Sequence, residues 1–236
     1  MIKRIIGLIL ALSMISCALL SLSSCDRSYD EDEVLSAAKT LIERSQNLKI
    51  NEIFFGEGIK HNEYQELIYG NYKEADFIHL NELGFDNFAE LEYITTMVYT
   101  KECYNSVFKN VLRPSYDANG NVKIFARYLE KVDEESGEVI ALLVNVNYEG
   151  LVLEGSVEYH TSTLEIVDVE DEIIRVSVGA TVTSGDGEKT QDRRITFNMI
   201  ELEDGWRLDS PIYVGYDENY DRYDDLLKEN EGIFGN

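Results

Sequence analysis

Residues 173–208 read IIRVSVGATVTSGDGEKTQDRRITFNMIELEDGWRL. Ile174, Val176, Val178, Ala180 and Val182 alternate with Arg175, Ser177, Gly179, Thr181 and Thr183. A period of two with one apolar set is the pattern of a half-buried strand. Ser184-Gly185-Asp186-Gly187 supplies turn residues, and Ile195, Phe197 and Met199 then continue the apolar face. Glu203-Asp204-Gly205 turns again, and Trp206, Leu208, Ser210 and Ile212 form a last strand. Before this stretch, Leu164 and Ile166 alternate, and 169–172 is a connection. The whole region Val157–Tyr213 therefore reads as an antiparallel meander. Trp206, at the start of the last strand and in parity with Leu208, is expected as a core anchor.

Upstream, the pattern is helical. Val34, Ala38, Leu41, Ile42, Ser45 and Leu48 recur at helical spacing behind the acidic start Asp30–Glu33, which suits a helix dipole. A short piece with Ile50, Ile53, Phe54 and Phe55 ends at Gly56-Glu57-Gly58, read as a turn. Tyr64–Leu83 leaves irregular and strand-like readings open. Asp86–Glu90 opens a helix with Phe88, Leu91, Ile94 or Thr95, and Val98 as its buried stripe, and Thr100 caps another that runs to Leu112. Arg113-Pro114 ends it. Strands are expected at Val122–Leu129 and Val139–Tyr148 around a 133–137 loop. Tyr216, Tyr220, Tyr223 and Leu227 fall on one helical face among acids, predicting a C-terminal acidic helix. Helices followed by antiparallel strands give an α+β fold class.

The chain start is an address. Lys3 and Arg4 precede an apolar run, Ile5–Leu12, and the segment ends in Leu22-Ser23-Ser24-Cys25. This resembles the lipobox of bacterial lipoproteins. The resemblance implies cleavage before Cys25, a lipid on its sulfur, and an extracytoplasmic domain tethered to the membrane. The expected organisation is a signal peptide at 1–24, a tether at 25–33, one domain at 34–214 and a Tyr-rich tail at 215–236. About 210 residues remain after cleavage, enough for one domain with a full core. Cys17 leaves with the leader and Cys25 is acylated, so Cys103 has no intrachain partner for a disulfide.

The formal charge is −24, and loss of Lys3 and Arg4 makes it −26. Such a surface repels phosphates, which excludes nucleic acid as a partner. A solvated acidic surface explains it; a cationic partner is the functional alternative.

The closing stretch, "ITFNMIELEDGWRLDSP" at 195–211, looks like the final meander of nuclear-transport-factor-2-like (NTF2-like) domains. The resemblance implies a curved sheet around a pocket, a cone, with helices packed on it, in a family that hosts enzymes and binding proteins alike. The order of elements and the acidic surface are also similar to the IseA-type inhibitors of DL-endopeptidases.

Chemistry-bearing residues are sparse. His160 shares strand parity with Leu164 and Ile166 and has Glu158 two residues away, so both are expected on the concave side as ligand contacts. Tyr128, Tyr148, Tyr159 and Tyr213 sit near strand ends, where aromatic rings with polar tips serve binding; Tyr128 and Tyr148 join His160 and Glu158 as candidate ligand-binding residues. No His spacing points to a metal, no cofactor motif is present, and no serine sits in a nucleophile elbow. Asp117–Asn121 and Asp217–Asp221 resemble calcium loops, but Val122 and Arg222 stand where the loop needs glycine. Three functions follow as expectations: a lipid-anchored, non-enzymatic binding or accessory domain of the cell envelope, meeting an envelope protein or a small ligand; an inhibitor of a wall hydrolase; or an enzyme using His160 in the cone.

Overall fold

The computed structural model describes residues 29–56, 58, 77–79, 87–145, 148, 150 and 152–217. The expectations for the leader, Cys25, most of Tyr64–Leu83 and the tail beyond 217 lie outside these residues. The chain divides into two units, Met1–Val34 and Leu35–Asn236. In the first, Asp30 caps the start of helix α1 (Glu31–Asn47), its Oδ1 accepting from Asp32 N at 3.0 Å. The remaining elements belong to the second.

The fold class is α+β with antiparallel sheets. Helix α2 (Ile50–Phe54) follows α1 directly; strand β1 (Phe77–His79) comes next. Helix α3 (Phe88–Thr96) is capped by Asn87, which accepts from Glu90 N at 3.0 Å, and α4 (Lys101–Ser106) by Thr100, which accepts from Cys103 N at 3.0 Å. Thr100 was legible as a cap and Asp86–Glu90 as a helix start; the cap within that start is Asn87, a short polar side chain that satisfies an orphan N–H. Leu91, Thr95 and Val98 are buried, so Thr95 and not Ile94 completes the stripe. The helix expected to reach Leu112 stops at Ser106 and resumes as a 3-10 turn, Phe108–Leu112.

Strands β2 (Ser115–Tyr116) and β3 (Val122–Ile124) form a two-stranded ribbon. Strands β4 (Tyr128–Val132) and β5 (Val139–Asn145) complete a three-stranded sheet in the order β1-β5-β4. The strand expected over Val122–Leu129 is thus two strands. The break falls at Arg127, whose N–H donates to Val111 O at 2.7 Å and leaves the ladder. Ala141–Val144 are all buried without alternation, the mark of a central strand covered on both faces.

The meander is the largest sheet: β6 (Ser156–Glu170), β7 (Ile173–Thr183), β8 (Thr190–Leu202) and β9 (Gly205–Leu208), in that spatial order. Val176, Val178, Val182, Phe197, Met199 and Leu208 make its buried face, as the alternation predicts. Two departures matter.

The first is in β6. His160 pairs with Gly179, but the next paired residue is Glu165, opposite Ser177. Five residues of β6 span two of β7, and the odd excess of three reverses the facing of the strand. The hydroxyl of Thr163 closes the gap, accepting from Gly179 N and donating to His160 O, both at 2.7 Å. A Cβ on Gly179 would stand 2.9 Å from that hydroxyl oxygen, which accounts for the glycine there. Upstream of the bulge, Glu158 and His160 lie on the polar face with Thr181 and Gly179; downstream, Ile166 pairs with Val176 on the apolar face. The parity linking His160 to Leu164 and Ile166 is corrected accordingly.

The second departure is at β9, which ends at Leu208 rather than Ile212. There Leu208 N donates to Val98 O and Thr100 N to Leu208 O, both at 2.8 Å, forming a parallel bridge with Tyr99. Trp206 is only partly buried, lying beyond the core, while Leu208 is fully buried. The anchor of this strand is Leu208. Leu208→Ala is expected to cost about 2–5 kcal/mol, and Trp206→Ala less than that. Urea unfolding midpoints for the two variants check the order.

Candidate functional site

The junction of α1 and α2 is built from a buried polar ring. Ser45 sits in the apolar stripe of α1, and Asn51 in the first turn of α2. Tyr99 Oη donates to Asn51 Oδ1 at 3.1 Å, Asn51 Nδ2 donates to Ser45 Oγ at 3.2 Å, and Ser45 Oγ lies 3.3 Å from Tyr99 Oη. Each of the three is at least nine-tenths buried. A closed ring satisfies these groups away from water, where unpaired ones would be costly. Burial holds the Tyr99 hydroxyl well above the ordinary tyrosine range.

Above this ring lies a cleft of about 100 Å³, lined among others by Ser45, Lys49, Asn51, Glu52, Tyr159 and Tyr213. Tyr159 Oη donates to Ile212 O at 3.1 Å, and burial raises its pKa strongly. Tyr213 Oη reaches the carbonyls of Leu153 and Gly155 at 3.4 and 3.3 Å. These bonds strap the segment after β9 to the loop before β6. The strap continues through Tyr216 N, donating to Glu154 O at 3.2 Å, and Gln191 Nε2, donating to Asp217 O. A second, open cleft of about 530 Å³ lies along the same loop, between Val152–Gly155, the 184–189 turn and Tyr216. Gly155 lines both clefts, with φ +93° and no room for a Cβ against Thr183 O.

Lys49 has φ 53° and ψ 29°, the left-handed conformation that ends α1, while its carbonyl accepts the first bond of α2 from Ile53 N at 2.9 Å. Glycine is the residue that such a helix end favours; a side chain there costs roughly 1 kcal/mol.

None of the four residues expected to bind ligand lines these clefts. His160 stands on the polar face of the meander, its Nε2 2.9 Å from Thr181 Oγ1, which donates to Asp192 Oδ1 at 2.8 Å. Glu158 is exposed on the same face, opposite Thr181. Arg175–Asp168 at 3.3 Å and Arg194–Glu165 are ion pairs on that face, between exposed groups that contribute little stability. Tyr128 is in the core, its hydroxyl donating to Ile53 O at 2.7 Å. Tyr148 is half-buried, with the Arg127 guanidinium 5.3 Å from its ring centre. That guanidinium is itself buried and donates to Phe54 O at 3.2 Å and Gly56 O at 2.6 Å, at the end of α2. Gly58, at φ +85°, leaves it room: a Cβ there would fall 2.6 Å from Arg127 Nη2.

Tyr159 and Tyr213 were legible as wet-tipped aromatics near strand ends. Ser45 carried a signal too, as a hydroxyl inside an apolar stripe. Lys49 and Asn51 carried none. Among the described residues no three His, Cys, Asp or Glu side chains converge as for a metal, and no helix is long and apolar enough to cross a membrane. The Asp117 carboxylate, which resembled a calcium ligand, accepts from Asn119 N and Asn121 N at 2.8 and 2.9 Å, and these bonds lower its pKa. Cys103 is buried, which pushes its thiol up to about 12 and leaves it unreactive at neutral pH.

No model of a known protein family matches the chain, and no curated protein matches it.

Tyr99→Phe leaves Asn51 Oδ1 without its donor and is expected to cost about 1–3 kcal/mol, measured by denaturant unfolding. The pH dependence follows from the raised tyrosines. Unfolded tyrosine ionises near pH 10, while Tyr99, Tyr104 and Tyr159 hold their protons higher in the folded state because they are buried. Stability is therefore full below about pH 10 and falls as pH rises past it. Ultraviolet titration should show a delayed tyrosine fraction that ionises together with unfolding.

Proposed function

We propose that this chain is a lipid-anchored, extracytoplasmic binding domain of the bacterial cell envelope, tethered through Cys25 and taking a small ligand at the α1–α2 junction. The observation that carries the reading is the cleft over the Ser45–Asn51–Tyr99 ring. Small ligands bind in concave sites whose lining carries a few placed polar groups, and Lys49, Glu52, Tyr159 and Tyr213 supply such groups here. The sequence Leu22-Ser23-Ser24-Cys25 supports the address. Binding is favoured over catalysis with His160, because the β6 bulge turns that imidazole onto the polar face, away from both clefts.

The finer fold we assign is an NTF2-like cone. Its support is the order of elements, with helices preceding a four-stranded meander, and the bulge within the long strand β6, since bulges bend the strands that carry them.

Two measurements test the function. Full-length protein grown with labelled fatty acid should carry the label, and Cys25→Ser should not; label retained in the variant sinks the anchor. Native mass spectrometry of the protein purified in mild detergent from a bacterial membrane should show a bound small molecule that Tyr213→Ala releases. An empty wild-type protein under those conditions counts against binding as its task.

A further inference from the structure

We propose that the end of the β4–β5 hairpin is a docking arm for a second protein, one whose surface offers an apolar slot edged by Lys or Arg side chains. No residue of the arm lines the α1–α2 cleft, so the two stand or fall separately.

Strand β5 changes character within one residue. Ala141, Leu142, Leu143 and Val144 are 5% exposed or less, whereas Ile140 is 51% exposed. Val139, at 38%, and Val132 on β4, at 49%, are exposed beside it. The pairing register explains the grouping. Lys131 pairs with Ala141, and a regular ladder would then set Val132 opposite Ile140 and turn Val139 to the other face. Instead Val132 pairs with Val139, and Ile140 is the extra residue of a bulge. Two residues of β5 thus oppose one of β4, and three exposed apolar residues meet at one step of the ladder. Single apolar residues on a surface are ordinary; a contiguous group rimmed by polar ones marks a contact surface.

Charge selects the occupant. Residues 132–140 read VDEESGEVI, four acids and no base. A second copy would set acid against acid across the contact, and each chain carries −24 in all. Anionic lipid headgroups repel the same acids. A protein slot with a cationic rim gains on both counts, because Val132, Val139 and Ile140 leave water while Glu134, Glu135 and Glu138 meet opposite charge. An apolar centre inside a charged rim is the ordinary anatomy of one side of such an interface. The turn that carries the acids is already ordered: Asp133 N donates to Glu138 O, and Ser136 N donates to Asp133 Oδ1, both at 2.8 Å. Docking therefore loses little conformational freedom on this side.

The test places a photo-crosslinking benzophenone side chain at position 140 of the full chain, in the cell that makes it. The same group at position 116, where Tyr116 is 60% exposed on the β2–β3 ribbon, is the control. Irradiation at 140 should join one protein, through a peptide that carries Lys or Arg beside apolar residues, and irradiation at 116 should not join it. The purified full chain should then bind that protein. Affinity should fall about tenfold or more in the double variant Val132→Ser with Val139→Ser, and again in the triple variant Glu134→Gln, Glu135→Gln, Glu138→Gln. The wild-type affinity should also fall as salt rises from about 0.1 M to about 1 M, which shortens the screening length from roughly 10 Å to roughly 3 Å. Thermal midpoints of both variants should stay near wild type, because the changed groups are exposed. Adducts only with lipid or with a second copy overturn the proposal. So do the absence of any adduct, equal joining from position 116, a joined peptide without basic residues, or affinity that either folded variant leaves unchanged.

Discussion

One backbone junction organises the protein. Val98 and Thr100 are hydrogen bonded to Leu208, so the end of α3 and the last strand of the meander share a rung. The rung is one residue long for a physical reason. Thr100 must cap α4 with its side chain, and its chain turns helical at the next residue. Tyr99, at the centre of the rung, sends its ring against Phe108 with centroids 4.5 Å apart and its hydroxyl into the α1–α2 ring. Two helical segments and the meander thus meet on a single tyrosine. Neither α2 nor α4 exceeds six residues, and helices so short are unstable alone; packing onto this centre sustains them.

Arg127 performs a related task on the other side of α2. A buried guanidinium is expensive unless its donors are used, and here they meet the carbonyls of Phe54 and Gly56, left unpaired where the helix ends. The positive charge also sits at the negative end of the helix and between the rings of Tyr128 and Tyr148. The same residue breaks the strand between β3 and β4. Two apparent irregularities, a split strand and a buried cation, are therefore one arrangement.

Polar groups are placed in two different ways relative to the core. The meander has a polar face bearing His160, Thr181 and Asp192, joined by hydrogen bonds on a sheet surface. The α1–α2 junction has fewer polar groups, but they are buried, closed into a ring and roofed by a cleft. Electrostatic contacts are stronger where water is excluded. The ring's hydrogen bonds therefore hold the fold more firmly than those on the sheet face, even though that face displays the residue types usually associated with chemistry.

The sequence by itself determined the α+β class, the helix start at Asp86–Glu90, the cap at Thr100, the buried face of β7 and β8, and the turns that separate the meander strands. Each depends on near neighbours: a period of two, a hydroxyl three residues from an N–H, a glycine in a turn. It also marked Tyr159 and Tyr213 as polar-tipped rings near strand ends. Only the tertiary structure decided which way His160 faces, because the bulge at 161–164 is settled by pairing between β6 and β7 and leaves no local pattern. Only the tertiary structure placed Tyr128 in the core and Trp206 beyond it, since burial depends on what packs opposite. It alone brought Lys49, Asn51, Tyr159 and Tyr213 to one cleft, from positions up to 164 residues apart along the chain. Sites of that kind are contacts between distant segments, and a linear pattern carries no record of them until the chain has closed.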